Sequence, residues 1–357
     1  MDGKKKILMV CESFGGGVFA YVSQLCNDLV EYFDISLAYS IRSQTPKNYK
    51  ELLDEHIHLF EIKDFGNLRK IHSVKKQLRK IEEELQPDII HLHSSIAGAV
   101  GRLVFKGKKN VVLYTPHGYA HILLGSGLKS KLYFLAEKWL GKKNCITLTC
   151  CESEDVEAKK FSKRTYFIET GIDIDSFDSV LKNVIGERNE KFTVYTLGRA
   201  CIQKQPHVFN EIAKLVPNAR FVWIGNGELE AELSAPNVEI TGWKPRMEAL
   251  EIAKGADVFI LCSLGEAIAM SLLENMFLEK LCLVSNTMGN KSVIQNGING
   301  FVCNTPEEYA NVIKKAMNNY PHEIAHKAYL DVVNIYNTET MKTKYIKFYS
   351  GLENKKD

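Results

Sequence analysis

Val258-Phe259-Ile260-Leu261 is followed by Cys262-Ser263-Leu264-Gly265-Glu266-Ala267-Ile268-Ala269, and then by Met270-Ser271-Leu272-Leu273-Glu274-Asn275-Met276-Phe277. The first four residues are an unbroken apolar run, as expected of a strand buried on both faces in a helix-covered parallel sheet. A loop of mostly small residues follows. Apolar residues then return at helical spacing, which predicts a helix over 270–277. Strand, small-residue loop, helix is therefore the unit to look for elsewhere in the chain.

The same alternation extends in both directions. The other second-half strands are read at Phe192–Leu197, Phe221–Ile224, Val238–Thr241, Leu281–Ser285 and Phe301–Cys303. Helical spacing fills His207–Val216, Met247–Lys254 and Pro306–Asn318. In the first half, strands are read at Lys6–Cys11, Asp34–Tyr39, His58–Ile62, Asp88–His93, Val111–Thr115, Cys145–Cys150 and Thr165–Glu169, with amphipathic segments at Val18–Tyr32, Leu68–Leu85 and Leu128–Leu140. Strands separated by helices of this length predict right-handed crossovers and parallel sheets. The expected fold is α/β: two Rossmann-like domains, residues 1–174 and 191–335, joined by a polar linker at 175–190. A C-terminal helix within 336–357 is expected to pack back on the first domain. Ligands in such sheets lie beyond the carboxyl ends of the strands, so the strand-to-helix loops should carry the chemistry.

A length of 357 residues suits two domains, and a 45% hydrophobic, 25% charged composition is that of a soluble globular protein. No apolar run reaches the length of a membrane span or signal-peptide core, which predicts a cytoplasmic protein. The nine cysteines are scattered, with no C-x-x-C spacing, and suggest inert core thiols rather than disulfides or zinc. Residues 1–170 hold 26 Lys and Arg against 20 Asp and Glu, while the remainder holds 20 against 23. The basic half includes Lys75, Lys76, Arg79 and Lys80, then Lys106, Lys108 and Lys109. It also includes Leu128–Lys143, where Lys129, Lys131, Lys138, Lys142 and Lys143 interleave with Tyr133, Phe134 and Trp139. Such segments fit an anionic membrane surface, or simply a solvated helix face over ordinary core aromatics.

Three loops and one strand could carry chemistry. Gly15-Gly16-Gly17 opens the first helix, where backbone can approach an anion, although a tight turn explains it as well. It is not a G-x-G-x-x-G fingerprint, and no acidic residue ends the second strand, which disfavours a nicotinamide dinucleotide. Gly198-Arg199 ends a strand, and Lys204 follows before Gln205-Pro206. Two cations in one loop could clamp a diphosphate, or could be solvated surface charges. Glu266 in the quoted loop and Glu274 inside its helix could bind vicinal hydroxyls, although glutamates at helix ends are common. His91 and His93 share one strand face, with no third metal ligand nearby in sequence. Structural or acceptor-side roles are expected for them.

The Glu266-x7-Glu274 spacing after a strand ending at Cys262-Ser263, with Gly198-Arg199 and Lys204 at the earlier loop, resembles the family 4 glycosyltransferases of the GT-B fold. The resemblance runs nearly end to end. It includes Gly16-Gly17, His117-Gly118, Thr170-Gly171-Ile172-Asp173, Gly225-Asn226-Gly227, Thr241-Gly242-Trp243, Ala256-Asp257-Val258 and Asn296-Gly297-Ile298-Asn299-Gly300. It implies two domains facing across a cleft and a retaining transferase that needs no metal or other cofactor. The absence of a D-x-D after a strand agrees with that implication. Gly198, Arg199 and Lys204 would hold the donor diphosphate, Glu274 the ribose, and Glu266 with the amides of Ala267, Ile268, Ala269 and Met270 the donor sugar. His117 would approach that sugar, Gly16 and Gly17 would lie against phosphate or acceptor, and Gly225 would line the donor site. Lys244, Pro245 and Arg246 would lie near the base.

Ala267 and Ala269 stand where the family commonly has glycine and proline, and Lys291 precedes Val293-Ile294 where a glutamate is frequent. The clamp is untouched, but the sugar preference is left open. The resemblance further implies a nucleotide-sugar donor, on family frequency uridine diphosphate, and a glycan or lipid-linked acceptor of bacterial surface glycan synthesis. An anionic membrane surface is a further expected partner, with peripheral attachment at the inner face of the plasma membrane, and no nucleic acid. An inactive partner subunit of the same fold and a sugar-nucleotide epimerase are the alternatives.

Overall fold

The computed structural model describes residues 3–186 and 189–352. Met1 and Asp2, residues 187 and 188 of the predicted linker, and the end of the C-terminal segment after residue 352 lie outside the described residues. The chain forms two compact units. One gathers the chain up to His121, Ser126–Thr170 and everything from Glu339 onward; the other gathers Ile122–Gly125 and Gly171–Thr338. Each is an α/β unit around one parallel sheet.

The first unit contains β1 (Lys6–Phe14), β2 (Asp34–Ile41), β3 (His58–Glu61), β4 (Ile89–His93), β5 (Val111–Thr115), β6 (Ile146–Thr149) and β7 (Thr165–Phe167). Their order is β3-β2-β1-β4-β5-β6-β7, all parallel. Val10 lies between Ala38 of β2 and Leu92 of β4, and all three side chains are fully buried. Helices cover both faces of the strands, so most residues of a central strand are core residues, and the sequence reads largely as apolar runs.

The second unit contains β8 (Thr193–Leu197), β9 (Arg220–Ile224), β10 (Val238–Ile240), β11 (Val258–Leu261), β12 (Leu281–Ser285) and β13 (Phe301–Cys303), in the order β10-β9-β8-β11-β12-β13. Phe209, from the helix Pro206–Leu215, packs edge-on against Phe221 and Trp223 at ring separations of 5.4 and 5.3 Å. Each such buried aromatic contributes about 1.5–3 kcal/mol.

One reading of the sequence needs correction, and one helix goes beyond it. The supposed linker is partly helical: Ile174–Leu181 forms a helix whose cap Asp173 accepts the Ser176 N–H at 2.9 Å. The segment Ser95–Val104 is also helical, despite two glycines that lower its propensity. Gly98 is required there, because a Cβ would fall 2.1 Å from the Tyr114 ring.

The last helix, Thr338–Ser350, buries Tyr345 and Tyr349 in the first unit. Tyr345 Oη lies 2.5 Å from Tyr21 Oη, and Tyr349 Oη 2.6 Å from His91 Nδ1.

Candidate active site

In each sheet the strand order reverses once, between β1 and β4 and between β8 and β11. The loops leaving those two neighbouring strands diverge to opposite faces and open a crevice beyond their carboxyl ends. In the second unit these are the Gly198-Arg199 loop after β8 and the Cys262–Ala269 loop after β11. Sheet topology thus brings together two segments that are far apart in sequence.

Gly198 closes β8: its N–H donates to the Ile224 carbonyl at 2.9 Å, and its own carbonyl accepts the Trp223 indole N–H at 2.9 Å. Gly225, at φ +135°, passes so close that a Cβ there would sit 2.2 Å from the Gly198 carbonyl oxygen. The loop geometry therefore excludes any side chain at Gly225.

Arg199 is exposed, and no hydrogen bond or ion pair ties its side chain to another of the described residues. Lys204 ends a single 3₁₀ turn, Ile202–Lys204. Gln205 then turns left-handed and Pro206 opens the next helix. Lys204 Nζ lies 2.7 Å from Glu266 Oε1, with both side chains mostly buried. The two loops are further laced together: Gln203 O accepts the Leu264 N–H at 2.8 Å, and Gln203 Nε2 donates to the Gly265 carbonyl at 3.1 Å. The Glu266 N–H donates to Met288 O at 3.1 Å.

The helix Met270–Phe277 starts with Ala269 as its cap, which offers no side chain to its first amides. Ile268 and Ala269 are buried, while Ala267 and Met270 are partly exposed. Glu274 lies in the second turn, paired with Arg246 at 2.7 Å. Arg246 begins the helix Arg246–Gly255, and its guanidinium stands 5.3 Å over the Phe177 ring. Burial raises the Glu274 pKa above the ordinary carboxylate value, and Arg246 opposes that rise.

The first unit is organised around the ends of β1, β4 and β5. Gly16, at φ +55°, is the first residue of the helix Gly16–Leu29, and Gly17 follows it. His117, after β5, has φ +54° and is followed by Gly118 at φ +91°. Its Nε2 is 3.0 Å from His93 Nδ1, its Nδ1 is 3.6 Å from Cys150 Sγ, and its ring packs edge-on against Tyr21. Burial lowers the His117 pKa to about 3, so the ring is neutral at physiological pH. Both ring nitrogens already have protein partners in this conformation. His91 and His93 are fully buried with ring centroids 4.0 Å apart, and His91 also bonds Thr115 Oγ1 at 2.7 Å. They are core residues held by hydrogen bonds, and no cluster of three metal-ligating side chains occurs among the described residues.

Glu154 was not singled out from sequence. Fully buried, it accepts the Gly118 N–H at 2.7 Å and the Cys150 N–H at 2.9 Å, which fixes the loop carrying His117. The available signal was the acidic first turn of Glu152–Ala158, with Glu152, Glu154 and Asp155 at a helix start. Phe177 was missed because it lies in the presumed linker. Gln203 and Met288 were missed because their contacts are made through backbone or across loops. All nine cysteines are buried and free. No helix among the described residues is long and apolar enough to cross a membrane.

Residues 15–176 match the family described as Glycosyltransferase Family 4, and residues 178–330 match Glycosyl transferases group 1. An Escherichia coli protein named UDP-Gal:alpha-D-GlcNAc-diphosphoundecaprenol alpha-1,3-galactosyltransferase is 29% identical over 307 residues, 76% of each chain. Among solved structures, sucrose-phosphate synthase from Thermosynechococcus elongatus superposes with a TM-score of 0.81 at 13% identity, covering 97% of this chain and 98% of that one. Anabaena Alr3699/HepE in complex with UDP and glucose gives 0.76 at 17% identity, covering 98% and 100%. At these identities the structures establish the shared fold.

Proposed function

As this chain belongs to the family 4 glycosyltransferases of the GT-B fold, we propose that it transfers a sugar from a uridine-diphosphate donor to a lipid-linked glycan acceptor in bacterial surface glycan synthesis. The transfer retains anomeric configuration and uses no metal. The enzyme works in the cytoplasm, at the inner face of the plasma membrane. One observation carries the reading: a cation and a carboxylate, Lys204 and Glu266, meet at 2.7 Å in the crevice at the reversal of the second sheet. Arg199 is exposed on the same loop.

When the anomeric carbon–oxygen bond breaks, its electron pair stays on the departing diphosphate. Lys204, held by Glu266, and Arg199, exposed on the same loop, are positive charges that stabilise it there, as a divalent cation would. The uncapped amides at Met270–Phe277 complement phosphate or sugar oxygens. Glu274 accepts the two ribose hydroxyls, and Glu266 accepts hydroxyls of the donor sugar. His117 is uncharged, and to hydrogen-bond substrate its Nδ1 would exchange its long contact with Cys150 Sγ for a substrate oxygen. The uridine and diphosphate-lipid assignments draw support from the E. coli relative, whose name specifies both, and from the fold relative solved with UDP.

The test is a panel of nucleotide sugars with a lipid-diphosphate-linked sugar acceptor in excess chelator, with the fresh product examined by proton NMR. Transfer from a uridine donor with the α-linkage kept is expected. An inverted linkage, or activity abolished by chelation and restored by magnesium, would reject the retaining, metal-free reading.

A further inference from the structure

The helix Leu128–Leu140 is built inside out. Among its residues only Glu137 and Leu140 are buried. Glu137 Oε2 accepts from Arg102 Nη2 at 2.9 Å, and its Oε1 accepts from Tyr114 Oη at 2.9 Å, with both partners themselves buried. The helix is thus fastened to the first unit by a desolvated ion pair, with Arg102 stacked 4.0 Å from the Tyr114 ring centre. Phe134 packs inward against Phe161 and His121, but four of the helix's large apolar residues point the other way. Leu128 is 75% exposed, Leu132 58%, Leu135 59% and Trp139 53%. Their positions, i, i+4, i+7 and i+11, form one stripe along the helix. A soluble helix normally turns such a stripe inward, and a contiguous outward one marks a binding surface.

The charges beside the stripe are of one sign. Lys131 and Lys138 sit one heptad apart on one side of it, Lys129 lies on the other, and Lys142 and Lys143 follow the helix, all exposed. Lys143 Nζ stands 4.7 Å from the Trp139 ring centre. Glu137, the helix's single carboxylate, is consumed in the buried pair, so the outward face carries no negative charge. The neighbouring helix Ser95–Val104 packs between this helix and Ile71–Leu85, which presents exposed Lys76, Arg79 and Lys80. Two copies meeting through this face would oppose lysine to lysine. An anionic bilayer instead offers hydrocarbon to the stripe and phosphate to the lysines, with tryptophan at the boundary.

We propose that Leu128–Leu140 is an interfacial anchor, whose Leu128-Leu132-Leu135-Trp139 stripe enters the surface of an anionic bilayer while the flanking lysines hold lipid phosphates. This deepens the reading of a lipid-linked acceptor and rests on it for the choice of a bilayer as occupant. The test measures binding separately from transfer.

The full chain is sedimented with sucrose-loaded vesicles of phosphatidylcholine alone or with about one-third phosphatidylglycerol, in low and high salt. Binding to the anionic vesicles, weakened by salt, is expected. It should come with a blue shift of tryptophan emission that is absent in Trp139→Phe. Lys131→Glu with Lys138→Glu should weaken anionic binding by at least about 25-fold, at about fivefold per lysine lost. A triple Leu132→Ser, Leu135→Ser, Trp139→Ser should lose it at least about tenfold. Sugar transfer to a water-soluble acceptor should match wild type in all variants. Equal or negligible pelleting with both vesicles, or undiminished binding by the triple variant, would overturn the proposal. So would a wild-type dimer in analytical ultracentrifugation that the triple variant dissolves. Failure of wild-type transfer alongside normal vesicle binding would instead reject the catalytic reading and leave the anchor standing.

Discussion

Lys204 and Glu266 are 62 residues apart, yet Nζ and Oε1 lie 2.7 Å from each other because β8 and β11 are neighbours in the sheet. The carboxylate holds the lysine in place beside the crevice, and in the proposed mechanism that cation stabilises the departing diphosphate. Lys204→Ala should therefore lower kcat by about 100- to 1,000-fold, the loss typical of one preorganised charge stabiliser. Glu266 then remains partly buried without its cation, and the donor KM should rise as well. Steady-state kinetics with a uridine-diphosphate sugar, and circular dichroism as the folding control, give the answer. Near wild-type turnover by folded Lys204→Ala would remove the residue from the mechanism.

Glu274 and Arg246 form the second pair, with different expected consequences. Ribose hydroxyls do not change during transfer, so Glu274→Ala should mainly raise the donor KM, by about a hundredfold for two hydrogen bonds to a charged group. Arg246 opposes the burial that raises the Glu274 pKa. Removing it should raise that pKa further. Since the ionised carboxylate is the binding form, the acid limb of kcat/KM should move to higher pH in Arg246→Ala. An unmoved limb would show that Arg246 does not tune Glu274.

Nearly all of the strand framework could be read from sequence, because double-sided burial writes each central strand as an apolar run such as Leu8-Met9-Val10 or Val258–Leu261. Ser95–Val104 was harder, since Gly98 answers to the Tyr114 ring and Gly101 to Leu92, neighbours that sequence spacing does not reveal. Ile174–Leu181 was hidden within a longer polar stretch, and its start is set by the Asp173 cap. In the candidate site, Arg199, Lys204, Glu266 and Glu274 stood out as charges beside strand ends. Their pairing did not, because which charges meet depends on strand order. Glu154 and Glu137 show the same limit: a buried carboxylate looks like any surface glutamate until its partners are known.

The last helix offers a stability test within the first unit. Tyr349 Oη is 2.6 Å from His91 Nδ1, and both residues are fully buried. Tyr349→Phe keeps the ring and deletes the hydroxyl, leaving a buried imidazole nitrogen unsatisfied, at a cost of about 2 kcal/mol. For a unit of this size, Tm should fall by about 4–8 °C. Differential scanning calorimetry would show it, and an unchanged Tm would mean that the histidine finds another partner.

Glu154 gives a pH signature of definite sign. Burial raises its pKa from 4.5 to about 7, even though the Gly118 and Cys150 N–H groups favour the ionised form. Between these two values the native state holds a proton that the unfolded state has released. The Glu154 contribution is therefore fully present below about pH 4.5, and is lost as pH rises through about 7. The change amounts to about 3 kcal/mol. His117 works in the opposite direction: with its pKa lowered to about 3, its contribution grows as pH rises toward the ordinary histidine value. His91 and His93, also lowered by burial, act alike. Total stability mixes the two slopes. The difference between wild type and Glu154→Gln cancels the histidines and isolates the carboxyl. Urea unfolding of both proteins from pH 4 to 8 should show that difference falling with pH across the window and flat above about 7. A difference that rises with pH would mean the two N–H bonds outweigh burial, and would make Glu154 a permanent anion beneath the His117 loop.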